Sequence, residues 1–504
     1  MVALRALSFC RYRMSEKLFL ERVPNYVGGR WQPSANPEHV RIANPATGEA
    51  IGTVPMGAAR DVDDAARAAA AAYPAWREMP AQTRARYLFA LRTSMEKHFD
   101  ELCSICTQEH GKTLDESKGD VRRAIDNVEV ACGAPSLMLG AGAALEQIAG
   151  GIDCFSMRQP IGTFAIVGPY NFPSMVPFWF LPYAIATGNT VIVKPSEQVP
   201  FSQHRLFELM HELKLPPGVV NMVNGSHDVV NAILDHPGIS GVSFVGSSPV
   251  ANHVYTRCGA TGKRAQALGG AKNFGVVMDD CALEPTLKNI IESAMGCAGQ
   301  RCLALSVVMG VGRAYDTLAR ALPGAIEREV KLGYGMDPGV TMGPVVSARH
   351  KERILAYIDK GVREGAKLVL DGRNAEVRGY PQGHWVGPTL FTDVRPGMAI
   401  ANEEIFGPVL CLVRAKDIEE ALAIVNAHPL ANASSIYTSS GASARKWCKE
   451  VDASMAGVNV GVAAPMAYFG FGGAKGSFFG DLKAHGREQV QFYTQNKTSI
   501  VRWW

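Results

Sequence analysis

The chain has 504 residues, which at about 150 residues per domain is enough for two or three domains. Hydrophobic residues make up 47% and charged residues 19% of the sequence, so we expect a globular protein with a large core rather than a disordered chain or a coiled-coil rod. The net charge of +4 comes without a block of Lys and Arg, which argues against a nucleic-acid partner. No apolar run reaches the ~20 residues that a membrane-spanning helix needs, which argues against a membrane partner.

The first 20 residues form an extension with more than one interpretation. They carry Arg5, Arg11 and Arg13 and no acidic residue among the first 15, a pattern that resembles a mitochondrial presequence. A disordered leader, with Met14 as the real start, fits the same residues. We therefore expect a cytoplasmic protein, with the mitochondrial matrix as the alternative if residues 1–20 are a presequence.

Apolar residues then follow helical spacing as far as residue 133. One set, spaced three or four apart, predicts the buried face of a single long helix: Leu88, Leu91, Met95, Phe99, Leu102 and Cys106. Cys103 and Cys106 form a CxxC pair on this helix. No second Cys or His pair has ligand spacing, so we interpret the two thiols as core and predict no metal site. The 11 cysteines, an odd and thinly spread number, predict reduced thiols rather than a secreted disulfide framework.

From residue 159 onward, apolar strands alternate with helices, which predicts a doubly wound parallel sheet. The strands are expected at 162–168, 190–194, 219–223 and 241–244, and the helices at 203–213 and 229–234. Ligands bind beyond the carboxyl ends of such strands, here residues 169–173, 194–197 and 246–248. A second α/β series follows, with strands at 274–278 and 303–310 and a helix at 287–295 between them. Residues 153–158 and 489–498 alternate as exposed strands that need a partner.

Cys302 is the strongest candidate for a nucleophile. Small residues precede it in the segment 296–301, which lets backbone groups approach the thiol, and the adjacent Arg301 favours the thiolate. Cys297 is the nearest rival. Local chemistry alone leaves both a catalytic and a buried structural role open for Cys302.

Three strand ends carry further candidates. Asn171 lies between two prolines, where a rigid amide donor suits an oxyanion hole, although a turn-forming role fits as well. Lys194 could bind a ribose or phosphate, or lie in solvent. Gly246 and Ser247 open a helix whose free N–H groups could face a pyrophosphate, but no GxGxxG pattern accompanies them.

Together these motifs resemble the aldehyde dehydrogenase superfamily over about residues 25–500. The stretches that carry the resemblance are Asn171-Phe-Pro, Lys194-Pro-Ser-Glu197, Phe244-Val-Gly-Ser247, Gly299-Gln-Arg-Cys302 and Glu403-Glu-Ile-Phe-Gly-Pro408. Within the superfamily the chain looks like the CoA-acylating methylmalonate-semialdehyde dehydrogenases. That closer resemblance rests on 109–121, 136–140, Gly270-Ala-Lys-Asn273 and 491–495.

The resemblance implies a role for each matching residue. Cys302 becomes the nucleophile, and Asn171 with the Cys302 backbone N–H becomes the oxyanion hole. Arg123 and Arg301 would hold the substrate carboxylate, and Phe172 would contact the substrate. The residues implied for NAD binding are Pro169, Lys194, Glu197, Gly246, Ser247, Leu268, Glu404 and Phe406. The carboxylate of Glu197 would also repel a 2′-phosphate, which favours NAD over NADP.

Leu268 stands where hydrolytic members of the superfamily have the glutamate that activates water. A leucine cannot accept a proton from water, so an acyl-cysteine would wait for the thiol of CoA. Drift of the sequence that merely slows hydrolysis is the alternative. The segment 458–465 departs from the proline-rich stretch of the subfamily and leaves the preferred aldehyde open.

We therefore expect an enzyme that oxidises and decarboxylates methylmalonate or malonate semialdehyde to propanoyl-CoA or acetyl-CoA, with NAD as cofactor and CoA as co-substrate. The alternatives are a non-acylating NAD-dependent dehydrogenase of another short aldehyde and a catalytically silent NAD-binding structural protein. The expected fold has two Rossmann-like domains and a small β arm in a homotetramer, a dimer of dimers. The predicted boundaries are 1–20 for the extension, 21–141 with 160–271 for the NAD-binding domain, 272–470 for the catalytic domain, and 142–159 with 484–504 for the arm.

Overall fold

A computed structural model of the chain describes residues 18–139 and 144–504. Most of the predicted N-terminal extension, residues 1–17, lies outside the described residues, as do residues 140–143 at the start of the predicted arm. Within the described part, no helix is both long and apolar enough to cross a lipid bilayer. The predicted domain boundaries stay a prediction.

The N-terminal part begins with four strands and continues with helices. Its elements are β1 (Asn25–Val27), β2 (Arg30–Gln32), β3 (His39–Ala43), β4 (Ala50–Pro55), α1 (Ala59–Glu78), α2 (Ala81–Lys97), α3 (Phe99–His110), α4 (Leu114–Cys132) and α5 (Ala134–Leu139). Helix α4 begins with a capping box, in which Thr113 and Glu116 bond each other's backbone N–H.

The prediction of one long helix through residues 88–106 is wrong, because the chain forms two helices, α2 and α3, on either side of His98. The His98 Nδ1 atom lies 2.8 Å from Glu101 Oε2 and 3.3 Å from Arg205 Nη2, and these contacts fix the break. The apolar spacing continues across the break, since the predicted face is buried in both helices except at Phe99, which is half-buried. The core interpretation of Cys103 and Cys106 is confirmed, because both thiols are fully buried.

The middle of the chain alternates strands and helices. Its elements are β5 (Ala144–Ala149), β6 (Ile152–Pro160), β7 (Thr163–Val167), α6 (Met175–Phe178), α7 (Leu181–Ala186), β8 (Thr190–Lys194), α8 (Phe201–Glu212), β9 (Val220–Met222), α9 (His227–Asp235), β10 (Gly241–Val245), α10 (Ser248–Ala260) and β11 (Arg264–Leu268). The predicted strands and helices of this region are confirmed to within a few residues.

The second half forms another α/β series and ends in a long strand. Its elements are β12 (Asn273–Val277), α11 (Leu283–Met295), a 3-10 helix (Gly296–Gly299), β13 (Leu305–Val311), α12 (Ala314–Glu329), α13 (Ala348–Arg363), β14 (Lys367–Leu370), β15 (Thr389–Val394), α14 (Ala399–Asn402), β16 (Val409–Ala415), α15 (Ile418–Ala427), β17 (Leu430–Ala431), β18 (Ala433–Tyr437), α16 (Gly441–Glu450), β19 (Met455–Val458), β20 (Ala474–Lys475), β21 (Phe478–Phe479), α17 (Gly486–Phe492) and β22 (Thr494–Arg502).

Two large sheets form the centre of the fold. The first has eight strands in the order β2-β1-β9-β8-β7-β10-β11-β21, of which the five from β9 to β11 run parallel. Both of its faces are buried: Phe164 and Ile166 of β7 pack with α4 and α7, whereas Ala165 and Val167 pack with α1, α9 and α10. The second sheet, in the order β14-β15-β16-β13-β12-β18-β19, is parallel except for β14. The chain is therefore an α/β protein with two Rossmann-like sheets.

A third sheet, in the order β22-β6-β5, is antiparallel and contains the predicted strand 153–158 and residues 494–498 of the predicted strand 489–498. The strand predicted from residue 489 is wrong in its first half, because residues 486–492 form α17. Gln489 donates from Nε2 to Gln266 Oε1 of the first sheet at 3.0 Å, and Val490 and Phe492 are buried beside it. Packing against that sheet outweighs an alternation that extends over only a few residues.

Candidate active site

Two cavities meet at Cys302. The first, about 670 Å³, has Arg123, Phe172 and Val462 among its lining residues. The second, about 480 Å³, lies at the carboxyl ends of β7, β8 and β10, where parallel sheets place ligands. Cys302 lines both, so one thiol can reach molecules that enter from either side.

The backbone before Cys302 is unusual. The backbone φ values of Cys297, Ala298 and Gly299 are 50°, 50° and 70°. This left-handed conformation is rare for residues other than glycine. At Gly299 a Cβ atom would overlap the carbonyl group of Gly407, so only glycine fits there. This tight turn delivers Cys302 to the cavities at the end of the 3-10 helix.

Two asparagines fix the peptide of Cys302. The Cys302 carbonyl oxygen accepts hydrogen bonds from Asn273 Nδ2 at 3.0 Å and from Asn432 Nδ2 at 2.9 Å. Asn273 belongs to a stretch that supported the resemblance, but no role was expected for it. Asn432 was missed, since an asparagine at the end of a short strand carries no signal of its own.

Burial and, to a smaller extent, the nearby carboxylate of Glu404 raise the pKa of the Cys302 thiol to about 12, against the opposite effect of Arg123 and Arg301. Arg301 thus favours the Cys302 thiolate in the expected direction, but it makes no hydrogen bond to that thiol among the described residues. The guanidinium is directed at the rival thiol instead, with Arg301 Nε 3.3 Å from Cys297 Sγ. The pKa of Cys297 is raised by its complete burial.

Arg123 and Arg301 both reach the first cavity, but they differ in their partners. Arg301 Nη2 lies 3.3 Å from Glu116 Oε1, and Arg301 Nη1 donates to the Glu292 carbonyl at 3.1 Å. Within the described residues, the guanidinium of Arg123 has no hydrogen-bond or ion-pair partner, and its pKa is lowered by burial. An arginine of this kind, in the same cavity as the reactive thiol, is suited to bind a carboxylate.

Asn171 and Phe172 are placed one on each side of Cys302. Asn171 is buried in the second cavity and donates from Nδ2 to the carbonyl oxygen of Gln300 at 3.0 Å. The amide thus lies against the turn that carries Cys302, and its second N–H has no acceptor among the described residues. Phe172 forms part of the wall of the first cavity.

The residues predicted for NAD binding line the second cavity, with one exception. Pro169, Gly246 and Ser247 lie at the ends of β7 and β10, and Ser247 precedes α10 without a side-chain cap, which leaves N–H groups of the first turn available to a phosphate. Lys194 donates from Nζ to the Gly225 carbonyl at 2.7 Å and to Glu197 Oε2 at 3.2 Å. One oxygen of Glu197 remains available for a ribose hydroxyl.

Glu404 and Phe406 close the inner end of this cavity. Glu404 Oε1 accepts a hydrogen bond from the Ala271 N–H at 2.8 Å, and burial raises the pKa of its carboxyl. Phe406 has a φ of 62°, held by His350, whose Nε2 lies 2.7 Å from the Phe406 carbonyl. His350 was not expected from the sequence.

Leu268 is the exception. Its side chain is 3% exposed and belongs to the hydrophobic core, and the cavity is lined instead by the two glycines that follow it. The side chain of Leu268 therefore does not line this cavity, and a contact with NAD stays a prediction for this position. The reason is that β11 ends at Leu268 with its side chain turned into the core, and the backbone reaches the cavity only at Gly269 and Gly270.

The parts fit a dinucleotide on one side of a thiol and a carboxylate-bearing molecule on the other. The polar groups of the second cavity are those that NAD requires: helix N–H groups for the pyrophosphate, and paired Lys194 and Glu197 for a ribose. Among residues 18–139 and 144–504, no group of three His, Cys, Asp or Glu side chains is placed to hold a metal ion.

Comparison with known proteins agrees with this site. The pattern of the aldehyde dehydrogenase family matches residues 31–499. A malonate-semialdehyde dehydrogenase of Geobacillus kaustophilus is 47% identical over 479 residues, which are 95% of this chain and 98% of that protein. Another from Geobacillus thermodenitrificans is 48% identical over the same shares of both chains.

Solved structures agree as well. Methylmalonate-semialdehyde dehydrogenase from Oceanimonas doudoroffii superposes with a TM-score of 0.93 at 40% identity, covering 96% of this chain and 99% of the other. A Sinorhizobium meliloti protein assigned to the same activity, solved with NAD, gives a TM-score of 0.94 at 42% identity, covering 96% of this chain and 98% of the other. The chain belongs to the aldehyde dehydrogenase family.

Proposed function

We propose that the chain catalyses the NAD-dependent, CoA-acylating oxidation of malonate semialdehyde or methylmalonate semialdehyde, with loss of CO2. One observation carries the proposal: Cys302 lies between Arg123, whose guanidinium has no partner in the part of the chain that the structure describes, and a cavity built for a dinucleotide. Both semialdehydes combine an aldehyde with a carboxylate. The names of the relatives at 47% and 48% identity support the same substrate class.

In the first half of the reaction, Arg123 binds the substrate carboxylate, which places the aldehyde carbon at Cys302. The thiolate adds to that carbon, and the negative charge that forms on oxygen is stabilised by the amide of Asn171 and the backbone N–H of Cys302. NAD, when bound, supplies the acceptor for the hydride. Loss of hydride from the former aldehyde carbon leaves a thioester on Cys302.

The thioester carries a carboxylate at its β position. When the C–C bond to this carboxylate breaks, CO2 leaves and the electron pair of that bond stays with the thioester as an enolate. The enolate oxygen occupies the same oxyanion hole. A proton then converts the enolate to an acetyl or propanoyl group. The CoA thiolate attacks the thioester carbonyl and Cys302 leaves as thiolate, so the products are acetyl-CoA or propanoyl-CoA.

Transfer to CoA rather than water follows from the residues at the site. The position that would hold a water-activating glutamate is Leu268, buried in the core. A thiol nucleophile needs less help from a base than water does. The acyl-enzyme is therefore expected to be stable until CoA arrives.

Product analysis with both semialdehydes, with and without CoA, tests the proposal. We expect NADH and acyl-CoA in stoichiometric amounts with CoA, and a single burst of NADH without it. Steady NADH formation with free acid as product, equally fast without CoA, would favour a non-acylating dehydrogenase. Binding of NAD without turnover of any aldehyde would favour a silent structural protein.

We also propose a homotetramer in the cytoplasm. The three-stranded sheet ends in β5, whose six residues are all exposed, and Leu145, Ile148 and Ile500 add exposed apolar side chains to it. Such an edge is suited to pairing with a second copy. Each of the ten cysteines in the described residues is a free thiol, as in a reducing compartment. The mass of the particle in solution, measured by light scattering, tests the assembly.

A further inference from the structure

Lys112 is a lysine that the steps above leave unused, although its side chain is fully buried. It lies between α3 and α4. Taking an ammonium group out of water is costly unless charged and polar partners replace the water. The partners of Lys112 are therefore informative about what this side chain does.

Three groups surround the Lys112 ammonium. Nζ lies 3.0 Å from Asp120 Oδ2, donates to the carbonyl oxygen of Asn171 at 2.6 Å, and sits 3.9 Å from the centre of the Phe172 ring. The carboxylate compensates the charge, and the ring adds a cation–π contact. Lys112 thus contacts Asn171 and Phe172, the two loop residues that flank Cys302.

Asp120 holds the same loop at a second point. Its Oδ1 atom accepts a hydrogen bond from the backbone N–H of Met175 at 2.6 Å, while Oδ2 receives Lys112. The buried ion pair therefore grips the segment 171–175 at both ends. Asn171 in turn bonds the carbonyl of Gln300, two residues before Cys302.

We propose that Lys112, paired with Asp120, is a positioning residue that holds the Asn171 amide in place to stabilise the oxyanion formed on Cys302. The inference rests on the role of Asn171 in the proposed function. A purely structural ion pair would stabilise the fold without any specific effect on the step in which the oxyanion forms. The two possibilities differ in what happens when the pair is replaced by neutral groups of similar shape.

The test variant is Lys112→Met with Asp120→Asn. Replacing both members of a buried ion pair avoids an uncompensated charge, and Asn can still accept the bond from Met175. NADH formation from propanal is measured in a single turnover without CoA, together with NAD affinity, thermal unfolding and alkylation of Cys302 by iodoacetamide. We expect the single-turnover rate to fall about 10- to 100-fold, less than the ~10²–10³ that follows loss of an oxyanion donor. Alkylation and NAD affinity should change less than about 3-fold.

A double-mutant cycle separates the two roles. In an Asn171→Ala background the same pair of substitutions should cost less than about 3-fold, because the residue through which the pair acts is already gone. Full additivity in that background, or a single-turnover rate within 3-fold of wild type in the test variant, would overturn the proposal. Parallel losses in NADH formation and alkylation would overturn it as well, since they indicate a general disturbance of the site.

The matched control is Lys446→Met with Glu450→Gln, an exposed ion pair on α16 with a 2.8 Å contact, which should leave every rate unchanged. If the test variant does not fold, Lys112→Arg is measured in its place. Its charge satisfies Asp120 but its larger planar head displaces the Asn171 carbonyl, so the same selective loss is expected and a wild-type rate would overturn the proposal.

Propanal keeps this test separate from the proposed function. If wild-type protein oxidises propanal but neither semialdehyde, the proposed substrate is wrong and the role of Lys112 is still decided by the variants. If wild-type protein oxidises no aldehyde, the proposed function fails and the role of Lys112 fails with it.

Discussion

The side-chain amide of Asn432 donates a hydrogen bond to the carbonyl oxygen of Cys302 at 2.9 Å, although 130 residues separate the two in the chain. Asn273 donates to the same oxygen from β12. The peptide that follows the nucleophile is thus held from β12 of the second sheet and from the bend that precedes β18 of the same sheet. The second sheet, and not only the loop that contains Cys302, therefore sets the position of the thiol.

Asn432→Ala should slow NADH formation in a single turnover by about 10-fold, because a shifted peptide misplaces the thiol and loss of near-attack geometry is costly. The stability loss should be about 1 kcal/mol, the usual net value of one hydrogen bond. Asn426→Ala is a matched control, since Asn426 also donates to a backbone carbonyl, that of Glu450 at 2.8 Å, whereas Asn432 donates to that of Cys302. Equal effects of the two substitutions on the rate would contradict the prediction.

The parts of the fold predicted from the sequence are those in which local pattern and tertiary packing agree. Both faces of β7 and β8 are buried, so these strands are continuous apolar runs that end at Gly168 and Pro195. The break at His98 and the helix α17 were missed because each is decided by distant partners. For His98 the partner is Arg205, and for Gln489 it is Gln266.

The candidate site divides in the same way. Cys302, Asn171 and Lys194 belong to short motifs at strand or turn ends, so they can be identified as candidates from the sequence. The partners that orient them cannot be identified in this way, since Asn432 and Lys112 are remote in sequence or resemble ordinary surface residues. Arg301 shows that neighbours in the sequence need not interact through their side chains. It directly precedes Cys302, yet its guanidinium faces Cys297 and Glu116.

Cys302→Ala should abolish NADH formation, whereas Cys297→Ala should retain it to within about 10-fold. Only Cys302 lines both cavities, and the thiol of Cys297 is buried against Arg301. The loss of rate in Cys297→Ala comes from a small cavity beside the turn, which weakens packing but leaves the reacting groups in place. Activity that survives in Cys302→Ala and disappears in Cys297→Ala would reverse the two assignments.

Alkylation of Cys302 in the NAD-free protein should become faster with rising pH throughout the range from 7 to 10. Burial raises the pKa of this thiol to about 12, so the reactive thiolate is a minor species that grows about tenfold for each pH unit. Iodoacetamide labelling followed by peptide mass spectrometry reports Cys302 separately from the exposed Cys448. A rate that levels off below pH 9 would show that the free thiol is already activated without cofactor.

Arg123→Leu should weaken the use of aldehydes that carry a carboxylate and leave propanal unaffected. The guanidinium is a charged group of the first cavity that has no ion-pair partner among the described residues, and a charge-assisted bond contributes about 1.5–3 kcal/mol. We expect kcat/KM for malonate semialdehyde to fall about 10- to 100-fold, since 1.4 kcal/mol corresponds to a factor of ten. A parallel loss with propanal would indicate that Arg123 supports the site rather than binding the substrate.

Glu197→Gln should relax the preference for NAD over NADP. Glu197 lies at the rim of the second cavity with its Oε2 atom 3.2 Å from Lys194 Nζ. Its negative charge opposes a 2′-phosphate on the adenine ribose, and the amide of Gln removes that repulsion while keeping an oxygen for the Lys194 contact. We expect the ratio of kcat/KM for NADP to that for NAD to rise about tenfold, the equivalent of 1.4 kcal/mol. The ratio is measured with propanal and saturating CoA, and an unchanged ratio would place the discrimination against NADP elsewhere in the cavity.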